Sequence, residues 1–248
     1  MYIVLSPAKR LYDVDAQENA TNPVFWKKSR ELARQVQSLS VDELEKTMHI
    51  SAKLGKLNFD RFQSLSMNAI QGTPAIQTFA GDTYIGMETK TLKEADITWA
   101  QSRIGILSGL YGVLRPLDSI EPYRLEMGTK LKTDAGKNLY EFWGDRVRKE
   151  VEKRAKSGAH PTLVNLASVE YFSVLKGLSI PYINPIFKEE KNGKYKVVAL
   201  KAKRARGSMA RYAIDNRIDD PEQLKAFSTG GYQFSKSDSD KQNWVFLR

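Results

Sequence analysis

The hydrophobic pattern changes period several times along the chain, and each change predicts an element. Tyr2-Ile3-Val4-Leu5 is an unbroken apolar run that stops at Ser6-Pro7-Ala8-Lys9, the pattern of a buried strand feeding a loop. Over residues 26–38 the spacing turns helical, with Leu32, Val36 and then Leu39 on one side. Ser40-Val41-Asp42-Glu43 reads as a capping box opening a helix toward Ile50, because Ser40 and Glu43 can each satisfy the other's free amide. Residues 51–65 predict a turn and another short helix, with Phe59 and Phe62 on one face. Residues 94–102 predict a helix running into Ile104-Gly105-Ile106-Leu107, whose period fits a strand or a buried helix end equally.

In the second half, Thr162-Leu163-Val164-Asn165-Leu166 predicts a strand, and Ser168 stands where it can cap a helix through Glu170, Tyr171 and Phe172. Residues 181–187 and 195–200 form the apolar arms of a hairpin around Lys191-Asn192-Gly193-Lys194, whose middle residues tolerate positive φ. Val197-Val198-Ala199-Leu200 is apolar on both faces, so the middle of the second arm is expected to be buried. A helix over about 204–218 follows, and Asp219-Asp220-Pro221-Glu222-Gln223 opens another. Residues 232–234 and 244–247 can pair as closing strands. With no repeat and no long linker, the pattern predicts one α+β domain over residues 1–248, a mixed sheet surrounded by helices.

Composition narrows the chemistry. Hydrophobic content of 41% and charged content of 27% over 248 residues are those of a globular chain with a full core. There is no cysteine, which removes disulfides, thiolate metal sites, iron–sulfur clusters and thiol peroxidase chemistry. His49 and His160 are the only histidines and stand far apart, so a conventional zinc site is not expected. The chain carries no cofactor signature. No apolar run reaches membrane length, and the first one meets Pro7 at once. A cytoplasmic protein without a membrane partner is expected.

Charge points to a partner. Between Lys191 and Arg217 nine cations face one acid, Asp215, so this window holds eight of the chain's formal ten net positive charges. Such a concentration suits a polyanion, because each phosphate neutralised releases condensed counterions. On a helix, Arg204 and Arg211 share one side and Arg206 and Arg217 another, with Ala205, Met209, Tyr212 and Asn216 as the stripe toward the core. Arginines can grip phosphate bidentately while Lys201 and Lys203 add point charges. The plain alternative is a solvated basic face, partly paired with Glu189, Glu190 or Asp215.

A second motif lies mid-chain. In Leu107-Ser108-Gly109-Leu110-Tyr111-Gly112-Val113-Leu114-Arg115-Pro116-Leu117-Asp118 two glycines stand three apart in an apolar frame. Amides exposed in such a turn can receive a phosphate oxygen, as in helix-hairpin-helix elements, although the spacing also marks ordinary tight turns. This block, with its continuation Ser119-Ile120-Glu121-Pro122-Tyr123-Arg124-Leu125-Glu126-Met127-Gly128, resembles the peroxide stress resistance protein YaaA family. So do Ser6-Pro7-Ala8-Lys9, Asn165-Leu166-Ala167-Ser168 with Glu170-Tyr171-Phe172, and Lys191-Asn192-Gly193-Lys194 through Ala202-Lys203-Arg204-Ala205-Arg206-Gly207, Met209 and Arg211. Pro221-Glu222-Gln223-Leu224 and Gly231-Tyr232 complete a likeness that runs nearly the whole chain.

The resemblance implies a bacterial cytoplasmic protein that protects against hydrogen peroxide, lowers reactive iron and limits DNA damage. It also implies binding of duplex and distorted DNA, junctions and bubbles among them, through a positive cleft and a helix-hairpin-helix element in a mixed α/β fold of the family's own. On that reading Lys9, Arg115, Lys201, Lys203, Arg204, Arg206 and Arg211 contact phosphate, while Gly109 and Gly112 shape the hairpin. An enzymatic alternative uses a carboxylate near that hairpin, Asp134, Glu126, Glu121 or Asp118, to activate water in glycosylase or lyase chemistry; in the bland version Arg124 pairs with Glu126 or Glu121, and Asp118 caps a turn. Ser168 as a nucleophile is weaker, since capping explains it. Iron sequestration by carboxylates ranks last, since no Glu-x-x-His repeat is present.

Overall fold

In the computed structural model of the chain, which describes residues 1–14, 17, 19–66 and 72–248, ten strands and ten α-helices follow in order. The strands are β1 (Tyr2–Leu5), β2 (Thr73–Pro74), β3 (Ile104–Ser108), β4 (Gly112–Leu114), β5 (Ser119–Ile120), β6 (Leu163–Leu166), β7 (Tyr182–Lys191), β8 (Lys194–Lys196), β9 (Gln233–Ser235) and β10 (Asn243–Leu247). The helices are α1 (Trp26–Gln37), α2 (Val41–Met48), α3 (Ala52–Ser64), α4 (Ala75–Thr78), α5 (Asp82–Met87), α6 (Glu94–Gln101), α7 (Leu139–Trp143), α8 (Arg146–Lys156), α9 (Val169–Phe172) and α10 (Ala199–Asp215).

The apolar N-terminal run becomes the middle of the sheet. β1 is buried at every position and pairs in parallel with β3 on one side and β6 on the other. Burial of both faces is what a parallel strand covered by helices requires. The order is β4-β3-β1-β6-β7-β10-β9, parallel through its centre, with β4 and β9 antiparallel at the edges and β8 folded back on β7. Tyr2 and Val4 point into one core with side chains of α1, α7 and α8, while Ile3 and Leu5 point into a second core filled by α10. Alternation along one strand thus feeds two layers. Among the described residues no helix is long and apolar enough to cross a membrane.

Most local expectations hold. Ser40 and Glu43 form the capping box, with Glu43 N donating to Ser40 Oγ at 3.3 Å and Ser40 N to Glu43 Oε2 at 2.8 Å. Asp220 caps the short 3₁₀ helix Pro221–Ala226 by accepting from Glu222 N at 3.0 Å. The closing strands pair as β9 and β10. The period-ambiguous run at 104–107 is a strand.

Four expectations are corrected. The glycine motif links β3 to β4 in register Ser108↔Gly112, so it lies in a strand–turn–strand hairpin rather than between two helices. The short apolar runs on both sides of it belong to the sheet, and the segment is buried from Ile104 to Leu114. The second arm of the basic hairpin is shorter than predicted: β8 ends at Lys196, and Val197, Val198 and Leu200 are exposed at 55%, 36% and 49%. The helix formers Ala199-Leu200-Lys201-Ala202-Lys203 carry α10 back to Ala199, five residues before the predicted start. Its buried stripe runs through Ala202, Ala205, Met209 and Ala213, and Asn216, just past the end of the helix at Asp215, is exposed instead of facing the core.

Candidate functional site

The chain leaves β1 toward β3 on one side of the sheet and leaves β6 toward β7 on the other. The loops beyond their carboxyl ends therefore diverge and open a crevice, the place where open sheets with a parallel centre hold ligands. A cleft of about 380 Å³ occupies this position. Ser6-Pro7-Ala8-Lys9-Arg10 arrives from β1, Ser168 and Glu170 from β6, and Tyr123–Glu126 forms a further wall. α5 contributes Asp82 and Tyr84, and α10 closes the rim with Lys203 and Arg206.

Close backbone packing places α10 there. A Cβ on Gly207 would lie 1.8 Å from Thr83 O, and one on Gly86 would lie 2.1 Å from Arg204 O, so α5 and α10 meet through two positions without side chains. The loops are tied across the crevice as well. Ser168 N donates to Ser6 Oγ at 2.8 Å, Tyr84 Oη to Ser6 O at 3.0 Å, and Gly128 N to Glu170 Oε1 at 2.9 Å. Ser168 stands at the start of α9 as predicted, but its hydroxyl makes no capping bond and lies 3.4 Å from Ser6 Oγ in the cleft.

The charged groups divide into committed and uncommitted sets. Glu126 meets Lys9 Nζ at 2.7 Å and Arg124 Nη2 at 3.0 Å. Burial works against its ionisation, yet the two cations prevail and hold its carboxyl below the usual range. Asp82 faces Arg204 Nε at 3.3 Å. Arg206 differs: it is half-buried, and among the described residues its Nε is shielded from water without a hydrogen-bond partner and no carboxylate offsets the burial that pulls its pKa down. Lys201 and Lys203 are exposed and make no ion pair among the described residues.

The predicted DNA-contact residues thus fall apart into three groups. Lys9, Lys203 and Arg206 line the cleft, and Lys201 and Arg204 stand on exposed positions of the same helix. Arg115 belongs elsewhere. Its Nε and Nη2 donate to the fully buried Asp118 at 3.0 and 2.7 Å, and Nη2 also reaches Asn22 O at 3.0 Å. Arg115 N donates to Asp118 as well, at 2.7 Å, so the aspartate closes a turn. Arg211 is occupied in the same way, by both Asp215 oxygens at 2.8 and 2.9 Å and by Thr91 Oγ1 at 2.6 Å.

Gly109 and Gly112 lie inside the protein. A Cβ on Gly109 would come within 2.2 Å of Leu125 O, and Gly109 O accepts from Trp143 Nε1 at 2.9 Å. The glycine turn supports the Leu125–Glu126 wall from behind and presents no amide to solvent. Of the carboxylates considered for catalysis, Glu126 lines the cleft, while Asp134 is exposed in the turn between Thr133 and Gly136. Among the described residues no three His, Asp or Glu side chains converge to hold a metal ion.

Sequence reasoning missed Tyr84 and gave no site role to Tyr123 and Tyr171, although it singled out their segments; all three line the cleft with hydroxyls pushed well above the ordinary tyrosine range by burial. No local signal marks them, because segments distant in sequence bring them together. What the assembled cleft can do is bind an anion with directed polar groups: surplus cations at the rim, an ionised carboxylate and hydroxyls within.

A model of the peroxide stress protein YaaA family matches residues 1–238. The UPF0246 protein of Cereibacter sphaeroides is 46% identical over 255 residues, covering 100% of this chain and 99% of its own length. Those of Caulobacter vibrioides and Saccharophagus degradans are 46% and 45% identical, with the same coverage. The chain belongs to the peroxide stress protein YaaA family.

Proposed function

We propose that this protein serves the peroxide stress response by binding DNA across the mouth of the cleft, through phosphates and with little sequence preference. Arg206 carries this reading. A guanidinium taken partly out of water without a counter-charge costs stability, of the order of several kcal/mol when desolvation is deep. Its persistence at the rim of a polar cleft points to an external anion, and phosphate matches its fork bidentately. Lys203 stands one turn before it, and the exposed lysines at 191, 194, 196 and 201 extend the positive surface along the chain. DNA held against this surface is shielded from the iron-dependent damage that peroxide causes.

One observation favours a second reading, a DNA-processing enzyme of the glycosylase or lyase kind. Glu126 lines the cleft beside Lys9 and Arg124. Held below the usual carboxylate range, it is ionised at neutral pH, so it would act as a base or as a stabiliser of positive charge and not as an acid.

The test is anisotropy of a labelled duplex titrated with protein at several salt concentrations, for wild type and a Lys203→Glu, Arg206→Gln variant checked for folding. The logarithm of the affinity should fall linearly with the logarithm of salt, and leaving two phosphates without their cations should lower the slope by about two. Equal affinities, or an affinity indifferent to salt, would sink the DNA reading. Cleavage of abasic-site DNA that stops in Glu126→Gln with binding intact would establish the enzymatic one.

A further inference from the structure

A duplex can lie across the mouth of the cleft but cannot enter it, since a cleft of about 380 Å³ has room for one small ligand only. The interior behind Lys203 and Arg206 is nonetheless a shaped chamber. Its volume of about 380 Å³ lies in the range of small-ligand sites, roughly 300–1,000 Å³, and it stands at the switch point of the sheet. Phosphate binding alone explains the rim and leaves the interior without a purpose.

The groups within are of three kinds. The phosphate-seeking cations Lys203 and Arg206 are at the entrance. Tyr84, Tyr123 and Tyr171, each less than one-tenth exposed, supply aromatic and apolar surface deeper in. Ser168 and Glu170 add directed polar atoms. Glu170 Oε1 is taken by Gly128 N, which leaves its other oxygen to accept from an amino group. The Ser168 hydroxyl lies 3.4 Å from Ser6 Oγ and has a proton to donate. An anion recognised at one end, with apolar and hydrogen-bonding surface beyond it, describes a nucleotide.

We propose that the interior of the cleft receives one nucleoside 5′-monophosphate unit, either as the free nucleotide or as a residue everted from a DNA strand bound across the mouth. The everted source rests on the DNA reading above; the free one does not. Eversion places the base out of the stack, where its hydrogen-bonding edge meets Ser168 and Glu170, while its phosphate stays with Arg206. The ionised Glu126, pinned by Lys9 and Arg124, then faces the sugar–phosphate side of the unit as a fixed charge.

Two measurements on the full chain test this. In calorimetric titrations, deoxyadenosine 5′-monophosphate should bind at least tenfold more tightly than deoxyadenosine or inorganic phosphate. Arg206→Gln should lose at least tenfold for the monophosphate, and Arg206→Lys should lose less, because it keeps the charge but not the fork. If Arg206→Gln fails to fold, the wild-type ranking of the three ligands decides alone. In parallel, a duplex with 2-aminopurine opposite thymine should brighten on adding protein as the base leaves the stack, and added monophosphate should reverse the signal.

The outcomes separate cleanly. Monophosphate binding together with brightening supports the everted source. Monophosphate binding without brightening, or without DNA binding at all, supports the chamber with free nucleotide as its ligand, and the latter result overturns the DNA reading alone. Salt-dependent DNA binding with neither brightening nor monophosphate binding overturns the chamber and leaves the DNA reading standing. No binding of either ligand overturns both.

Discussion

Two short hairpins in this chain share a device and meet opposite fates. Each contains a glycine with positive φ, Gly112 at 72° in β3–β4 and Gly193 at 70° in β7–β8. The first hairpin is buried from Ile104 to Leu114, while residues 190–201, which hold the second, are exposed without a break. A glycine turn therefore says that the backbone bends, not what it faces. Its flanks decide that: Leu107, Leu110 and Tyr111 around one turn, Lys191, Lys194 and Lys196 around the other. A phosphate could reach the backbone of the second. It could not reach the first without unfolding it.

The sharpest way to break this comparison is to add one methyl to the buried turn. In Gly109→Ala the new Cβ would lie 2.2 Å from Leu125 O, a backbone atom that cannot swing aside. Overpacking of this kind costs about 3 kcal/mol, which for a chain of this size lowers the melting midpoint by roughly 10 °C. The strain falls on the wall carrying Leu125 and Glu126, so anion binding in the cleft should weaken as well. Unchanged melting by calorimetry would mean that the turn is looser than its packing indicates.

The same change in the exposed turn should be milder and of different origin. Among the described residues Gly193 has nothing within 4 Å of its added Cβ, so Gly193→Ala meets no clash there. What remains is the positive φ, shared with Asn192 at 55° in a turn whose twist suits a two-residue hairpin. A side chain there costs about 1 kcal/mol. Chemical denaturation of the two glycine variants side by side reads the difference directly. Equal losses would place both hairpins in the same environment and erase the distinction.

How much of this the sequence discloses follows from how local each feature is. Strand β1, helix α1 and the Ser40–Glu43 capping box depend on neighbours within a turn or two, and pattern alone is enough for them. The start of α10 is a contest between the β-branched Val197-Val198 and the helix formers from Ala199 onward, and periodicity could not rank the two. The cleft is less legible still. Ser6, Tyr84, Glu126, Ser168 and Arg206 come from five separate segments, and their meeting depends on which strand lies beside β1. Charge density drew attention to Lys203 and Arg206, which line the cleft, but it weighted Arg115 and Arg211 equally. Only their partners Asp118 and Asp215 distinguish a cation engaged within the fold from one without an ion pair among the described residues.

That distinction sharpens the comparison a final time, through the lysines of the exposed hairpin. Lys191, Lys194 and Lys196 make no ion pair among the described residues, and their neighbour Glu189 is already engaged by Arg248 at 3.3 Å and by the Tyr232 hydroxyl. Replacing all three lysines by glutamine therefore removes no partner from any buried group and sets no like charge opposite Glu189, which pairs in register with Lys196. Stability should stay within about 0.5 kcal/mol of the parent, as for most surface changes. If the hairpin lies against DNA, affinity should nevertheless fall steeply, and the salt slope should shrink by about one for each phosphate no longer neutralised. A variant that melts with wild type yet binds DNA as weakly as one lacking Lys203 and Arg206 would make this hairpin part of the DNA surface. A variant that binds DNA as wild type does would confine that surface to the mouth of the cleft, and the exposure of the lysines would then mark only a solvated turn.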